Sequence, residues 1–284
     1  MAPVASRLPG GRLHLQHGPI DLVIEAWGER VEVERAYAQA WDRFQDVLAV
    51  LVGELELLRS PIADPCPRAR GPVARRMLAA VWPHRAQFVT PMAAVAGAVA
   101  DEMMESMLAA TRLKRAYVND GGDIAIHVAQ GETFTAGIVD NPFVRRISGR
   151  ISIDAPCGVA TSGWRGRSQS LGIADAVTVL AKNAAAADAA ATLIANAVNV
   201  DHPSIRRLPA RELKHDSDLR DLPVTVGVGD LPWEKKRQAL ANGLAVAARM
   251  RSGGLIEAAY LALQEETAVA AQQQRQDPHA QRAA

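Results

Sequence analysis

The chain has 284 residues, of which 49% are hydrophobic and 22% are charged, as in a folded globular protein, so global disorder is excluded. With 32 Lys and Arg against 31 Asp and Glu, the formal net charge is only +1, and aromatic residues make up 4%. This balance argues against nucleic-acid binding, which needs clustered cations and stacking aromatics. Two cysteines are too few for a disulfide framework or a four-thiolate zinc site.

The distribution of apolar residues predicts a cytoplasmic protein that does not enter a membrane. The first residues contain no apolar stretch long enough for a signal peptide. The most apolar window, residues 93–100, is far too short to span a bilayer. The low cysteine content also suits a reducing compartment.

Hydrophobic periodicity predicts the elements of the first half of the chain. Two short runs separated by Gly18-Pro19 predict strands at 12–17 and 20–27. Apolar residues at spacings of three and four predict a long amphipathic helix over 32–58. Further helices are predicted at 72–82 and 92–111, and further strands at 115–119, 124–128, 133–139 and 146–154.

In the second half, residues 158–163 lead into a polar loop over 164–172. The pattern then predicts strands at 175–181 and 222–228, helices at 183–200, 233–250 and 254–264, and a loop-rich segment over 204–221. Helices and strands mix without a regular βαβ rhythm, so we expect an α+β fold with mixed or antiparallel sheets in a single compact unit. We expect a domain over 12–264, an N-terminal extension over 1–11 and a disordered tail over 265–284.

The first segment that could carry chemistry is 118–124, with Asn119, Gly121, Gly122 and Asp123. Adjacent glycines allow a sharp turn whose N–H groups approach a ligand, so this loop could cradle a phosphate or ribityl oxygen. The simpler interpretation is a Gly-Gly hairpin turn, which this segment alone favours.

The second segment, 158–168, places small hydroxylated residues between glycines and follows them with two arginines. Its candidate ligand-binding residues are Ala160, Thr161, Ser162, Gly163, Arg165 and Arg167. Such a set could hold a phosphorylated ligand. The alternative is a flexible surface loop with solvated arginines.

The third segment is the alanine-rich helix, where Asp188 and Thr192 lie four residues apart and therefore on one face. A carboxylate and a hydroxyl are ligands that Mg²⁺ or Ca²⁺ accepts. Alternatively, Thr192 bonds back to the carbonyl four residues earlier while Asp188 faces water. Cys157 precedes the second segment, and we interpret it as structural rather than nucleophilic.

Together, and in this order, the three segments resemble the ApbE-like superfamily, whose best-known members are FAD:protein FMN transferases. More closely, the chain resembles the cytoplasmic UPF-type branch of that superfamily. The resemblance runs from about residue 12 to residue 256, and its strongest motifs lie at 90–101, 119–124 and 173–181.

The resemblance implies an ApbE-like fold and a small phosphorylated ligand, FAD or FMN, held by the loop at 119–123 and by the Ala-Thr-Ser-Gly segment at 160–163. It further implies Mg²⁺ bound by Asp188, Thr192 and the backbone carbonyl of Ala93. A Mg-dependent flavin or nucleotidyl transferase is therefore expected, and homodimerisation is compatible with the superfamily.

The sequence departs from the transferases at two places. Ala96 stands where they have a lysine, and their His- and Asp-Pro-containing loop is shortened here to residues 167–172. Arg165 or Arg167 could supply the missing positive charge. The departures keep open a second function, a non-catalytic flavin- or nucleotide-binding or accessory protein, which the resemblance links to sulfur assimilation and homocysteine formation.

Overall fold

The computed structural model describes residues 2–139 and 147–271. Its strands are β1 (Val4–Arg7), β2 (Leu13–His17), β3 (Ile20–Gly28), β4 (Leu113–Asp120), β5 (Asp123–Val128), β6 (Phe134–Ile138), β7 (Gly149–Ile153), β8 (Cys157–Ser162), β9 (Ala176–Ala181), β10 (Ile205–Pro209), β11 (Pro223–Val228), β12 (Ala258–Leu263) and β13 (Glu266–Ala270). Its α-helices are α1 (Arg30–Val52), α2 (Leu55–Leu58), α3 (Pro72–Val81), α4 (Val95–Leu108), α5 (Ala184–Ala197), α6 (Ala210–Leu213) and α7 (Trp233–Ser252).

In the described part of the chain, nine strands form one sheet in the order β1-β2-β3-β4-β5-β8-β9-β12-β13. Every neighbouring pair in it is antiparallel. Two separate two-stranded antiparallel sheets, β6-β7 and β10-β11, contain the remaining strands. The predicted α+β class in a single compact unit is thereby confirmed.

The helices cover one face of the large sheet, and α4 and α5 occupy its centre. Helix α4 packs on β4 and β5, while α5 packs on β8 and β9 and also contacts α4. Met103, Met107 and Ile194 are fully buried there. On the opposite face, the β6-β7 pair covers part of the sheet and packs around Ile126 and Val159. Within the described ranges, no helix is long and apolar enough to cross a membrane.

Several predicted boundaries change in the structure. The long first helix ends at Val52, and the short α2 follows after Gly53 and Glu54. The segment at 158–163, expected to lead into a loop, is mostly the central strand β8. The loop-rich segment at 204–221 contains β10 and α6. Arg146, the first residue of one predicted strand, lies outside the described residues.

The prediction of a helix at 254–264 is wrong. Residues Ala258–Leu263 form β12 instead, between β9 and β13. Leu261 and Leu263 are fully buried at alternate positions, so pairing on both sides overrides the helical propensity of an Ala- and Leu-rich run. The segment expected to be a disordered tail begins with β13, while residues 272–284 lie outside the described residues.

Candidate functional site

A two-residue turn between β4 and β5 is the first component of the site. Asp120 and Asp123 are paired across the hairpin, and Gly121 and Gly122 connect them with φ angles of +66° and +118°. Such backbone angles favour glycine at both positions. Asn119 Oδ1 accepts a hydrogen bond of 2.8 Å from the backbone N–H of Gly122, which fixes the turn.

Arg167 reaches this turn from the loop after β8. A β-carbon placed on Gly121 would lie 2.7 Å from Nη2 of Arg167, so the guanidinium group lies directly against the glycine. The positive charge of Arg167 also acts on the carboxylates of Asp120 and Asp123. Of the two arginines proposed from the sequence, the structure thus places Arg167 beside the glycine turn.

The two aspartates that flank the turn are held in an environment that disfavours their charge. Burial raises the pKa of Asp120 to about 7, although a hydrogen bond from the backbone N–H of Asp21 and the charge of Arg167 oppose the shift. Burial and the neighbouring Asp120 likewise raise the pKa of Asp123 to about 7. The backbone N–H of Thr161 donates to Asp123 Oδ1 over 3.3 Å.

Asp188 approaches the same place from helix α5. Its Oδ2 accepts a hydrogen bond of 3.1 Å from the backbone N–H of Gly97, at the beginning of α4, and the N–H of Ala96 also donates to it. Burial, followed by the negative charges of Asp123 and Asp120, raises the pKa of Asp188 well above its ordinary value. Asp188 is thus within electrostatic reach of the glycine turn.

Helices α4 and α5 each provide a carboxylate that accepts hydrogen bonds from backbone N–H groups at the beginning of the other helix. Asp101 on α4 accepts hydrogen bonds of 2.9 Å from the backbone N–H groups of both Ala184 and Ala185, just as Asp188 on α5 accepts from the beginning of α4. A β-carbon on Gly97 would lie 2.3 Å from the carbonyl oxygen of Ala184, so only glycine allows this approach. Each carboxylate satisfies amides that have no partner within their own helix.

The other two predicted metal ligands lie on adjoining segments. Thr192 follows Asp188 by about one turn of α5 and is half-buried, and no bond from its hydroxyl to the Asp188 carbonyl is found in the described structure. Ala93 lies in the 3₁₀ turn Pro91–Ala94, which leads into α4.

The oxygen atoms of the three predicted metal ligands can be compared with the ligands that Mg²⁺ prefers. Among residues 2–139 and 147–271, no three side chains of His, Cys, Asp or Glu are close enough to share one ion. The ligand set that the resemblance implies consists of one carboxylate (Asp188), one hydroxyl (Thr192) and one backbone carbonyl (Ala93). That set fits Mg²⁺, which commonly binds one or two carboxylates together with water and substrate phosphates.

The residues of the second predicted segment, 158–168, lie in different environments in the structure. Ala160 is fully buried in the core, and the Thr161 hydroxyl is 2.9 Å from the Thr178 hydroxyl. Ser162 ends β8, and Gly163 follows it at the start of the loop. Arg165 does not reach the glycine turn, because its Nε lies 2.6 Å from Oδ1 of Asp175.

Asp120, which is 6% exposed and lies beside the predicted residues, was not predicted as a site residue. A signal for it was present, because Ala116, Val118 and Asp120 follow the period-two alternation of the buried side of β4. The interpretation of Cys157 as structural agrees with its chemistry. Burial and the negative charge of Glu257 raise the pKa of its thiol to about 12, so a thiolate is disfavoured.

A separate surface cavity of about 600 Å³ lies near the end of α1, and its lining includes Val50, Glu54, Leu57, Arg68 and Arg70. None of the predicted site residues lines it. The candidate site is therefore defined by converging polar groups at the β4-β5 turn and the beginnings of α4 and α5, rather than by this cavity.

A family model described as "AbpE bacteria" matches residues 5–270 of the chain. A UPF0280 protein of Methanopyrus kandleri is 37% identical over 143 residues, which are 49% of this chain and 56% of the relative. A UPF0280 protein of Methanosarcina barkeri is 35% identical over 150 residues, 49% of this chain and 54% of the relative. The chain thus spans about half the length of these curated relatives.

Two solved structures are similar over nearly their full length. The apo form of the flavinyl transferase ApbE of Pseudomonas stutzeri is 12% identical, with 94% of this chain and 93% of that chain covered and a TM-score of 0.45. The ApbE protein of Thermotoga maritima is 14% identical, with 95% and 96% covered and a TM-score of 0.44.

Proposed function

The chain belongs to the family described as "AbpE bacteria", within the ApbE-like superfamily, and from this membership we propose that it binds a flavin nucleotide, FAD or FMN, or a related phosphorylated metabolite together with Mg²⁺. The binding groups are the glycine turn at 119–123, the end of β8 at 160–163, and Arg167. Asp188, Thr192 and the carbonyl of Ala93 hold the ion.

One observation carries the proposal. Gly121, Arg167 and Asp188 come from three separate parts of the chain, yet the guanidinium lies against the glycine and the aspartate is in electrostatic contact with the same turn. An anion that binds at the turn can accept hydrogen bonds from the guanidinium. The raised pKa values of Asp120, Asp123 and Asp188 show that their ionised forms are disfavoured, and a bound cation would stabilise those forms and offset their repulsion of the anion.

The chemistry proposed for these residues is positioning. Gly121 lets Arg167 approach the backbone, and Gly122, where an added β-carbon would meet nothing within 4 Å, leaves the turn open to the ligand. Arg167 pairs with phosphate oxygens, and Asp188 orients the ion through the geometry set by the beginning of α4. When bound, Mg²⁺ supplies neutralisation of charge on phosphate oxygens, which assists phosphoryl or nucleotidyl transfer.

A second function, non-catalytic binding, is favoured by one feature of the chain. Ala96 replaces the lysine of the transferases, and its side chain carries no charge, although its backbone N–H donates to Asp188. Without that lysine, or the His- and Asp-Pro-containing loop, the same site could retain a nucleotide without turnover. An accessory role, including one in sulfur assimilation, would then be compatible with a bound but unreacted ligand.

The test is titration of the purified full chain with FAD and FMN, followed by flavin fluorescence, with Mg²⁺ and with excess chelator. We expect Mg-dependent binding that inorganic pyrophosphate weakens. Asp188→Asn should remove the Mg dependence, and Arg167→Ala should weaken binding about tenfold, the worth of one charge-assisted hydrogen bond. The matched control is Asp221→Asn, which breaks an exposed pair with Arg211.

The outcomes separate the two functions and can also reject both. Release of AMP from FAD over many turnovers would establish transfer or hydrolysis, whereas tight retention without AMP release would establish the binding function. Flavin affinity that is the same in chelator, in Asp188→Asn and in the wild type would refute the assignment of the ion to Asp188. Absence of flavin and pyrophosphate binding would refute the proposed ligand class.

A further inference from the structure

The loop that carries Arg167 joins β8 to β9 and is held at both ends. Only its tip, residues 166–168, is exposed, whereas the residues on either side are half-buried. At its far end, Asn196 Oδ1 accepts a hydrogen bond of 2.9 Å from the backbone N–H of Leu171 and lies 3.3 Å from the Ser170 hydroxyl. A short tip between two anchors has few conformations, so the anchors decide where Arg167 points.

The near end is anchored by Asp175. Its Oδ1 accepts hydrogen bonds from Nε1 of Trp164 at 3.1 Å and from Nε of Arg165 at 2.6 Å. The Arg165 guanidinium also lies 4.8 Å from the centre of the Trp164 ring. The Asp175 side chain is 12% exposed, so these charge-assisted bonds are poorly screened by water. The backbone at Gly163 is equally confined, because a β-carbon there would lie 2.5 Å from the carbonyl oxygen of Asp175.

Asp175 is itself held by a strained turn between β12 and β13. Its Oδ2 accepts a hydrogen bond of 2.6 Å from the backbone N–H of Gln264. Gln264 and Glu265 have φ angles of +46° and +71°, which are unfavourable for residues other than glycine. The Gln264 side chain accepts from Leu231 N at 3.1 Å and donates to Gly229 O at 2.8 Å, so several bonds maintain the strained conformation.

From this arrangement we propose that Asp175 is a positioning residue for the candidate site. By clamping Trp164 and Arg165, it fixes the loop so that the guanidinium of Arg167 lies against Gly121. The inference depends on the proposed function only for the role of Arg167 as the group that contacts the anion. The position of Arg167 can be tested without any ligand.

The first experiment measures hydrogen exchange of the full chain by mass spectrometry, without ligand. Asp175→Asn keeps the shape of the side chain but removes its charge and one acceptor for Gln264. We expect exchange of the amides at 163–168 to rise about tenfold, as for the loss of one hydrogen bond to a charged group. Asp221→Asn should leave those amides at the wild-type rate, because its partner Arg211 lies outside the clamp. Should Asp175→Asn fail to fold, Arg165→Gln releases one arm of the same clamp.

The second experiment is a double-mutant cycle on FAD affinity. Asp175→Asn should weaken FAD binding about tenfold when Arg167 is present and have no effect in Arg167→Ala, because the clamp acts through that guanidinium. A purely structural role would weaken binding equally in both backgrounds and would overturn the proposal, as would unchanged exchange of the loop.

The two proposals fail in different ways. If the wild type binds no FAD, the proposed function is refuted, while the exchange experiment still decides whether Asp175 orders the loop. If Asp175→Asn loosens the loop but Arg167→Ala leaves FAD affinity unchanged, the clamp orders the loop but Arg167 is not the anion contact, and the positioning role is overturned.

Discussion

Replacing Asp120 with Asn should stabilise the protein at neutral and alkaline pH. Asp120 is almost fully buried, and its pKa is raised from 3.8 to about 7, mainly by burial. The side-chain amide introduced by Asp120→Asn could still accept the hydrogen bond from the backbone N–H of Asp21, but it would carry no charge. The substitution therefore removes an unfavourable buried charge without creating a cavity.

The expected magnitude follows from the difference between the folded and unfolded pKa values. Below about pH 4, Asp120 is protonated in both states and contributes nothing to the pH dependence. Between about pH 4 and 7 the unfolded chain ionises first, so the free energy of unfolding falls by up to ~1.4 kcal/mol per pH unit. A shift from 3.8 to about 7 corresponds to a penalty of at most about 4 kcal/mol above pH 7.

The assay is urea denaturation of the wild type and Asp120→Asn at pH 5 and pH 8, in chelator so that no bound cation compensates the charge. The variant should gain a few kcal/mol relative to the wild type at pH 8 and much less at pH 5. Asp221→Asn, which replaces an exposed carboxylate, serves as the control and should show no such gain. A variant that is no more stable than the wild type at pH 8 would refute the argument that Asp120 bears a buried, unfavourable charge.

Two further predictions concern close approach and thiol reactivity. Gly158→Ala and Gly97→Ala should each destabilise the fold by roughly 3 kcal/mol or more in the same denaturation assay. The new β-carbon at position 158 would lie 2.0 Å from the backbone of Asn183, and the one at position 97 would lie 2.3 Å from the backbone of Ala184. Gly53→Ala, whose new β-carbon would make only ordinary contacts, is the control, and equal stability of all three variants would contradict the close packing of α5 on Gly158 and Gly97. With a chromogenic thiol reagent, exposed Cys66 should react within minutes and buried Cys157 only on unfolding, so rapid loss of two thiols from the native protein would contradict the raised pKa of Cys157.

The fold was predictable where periodicity and local sequence agree. The strands flanking Gly18-Pro19 and the alanine-rich helix follow from local patterns, and the structure retains them as β2, β3 and α5. Strand β12 was not predictable from its own residues, since Ala and Leu favour a helix and only pairing with β9 and β13 makes the segment a strand. Strand β8 was missed for a related reason, because Gly158 and Ala160 have little β-propensity, and the close approach of α5 requires glycine at position 158.

The candidate site was predictable to the level of motifs but not of distances. The spacing of Asp188 and Thr192 could be interpreted from sequence, whereas the contact of Asp188 with the beginning of α4 depends on helix packing over 91 residues of separation. Arg165 and Arg167 look equivalent in the sequence. In the structure, Arg165 donates a hydrogen bond to Asp175, ten residues later, whereas the guanidinium of Arg167 lies against Gly121 in the turn.

The surroundings of Asp188 and Asp101 support the proposal of an ion at Asp188 rather than at Asp101. Both accept backbone N–H groups at the beginning of the other helix, so capping alone does not distinguish them. Burial raises the pKa of Asp101, while the nearby positive charge of Arg76 acts to lower it. Asp188 instead faces the negative charges of Asp123 and Asp120. A cation bound at Asp188 would therefore offset the electrostatic effect of these two aspartates, whereas Arg76 already supplies a positive charge near Asp101.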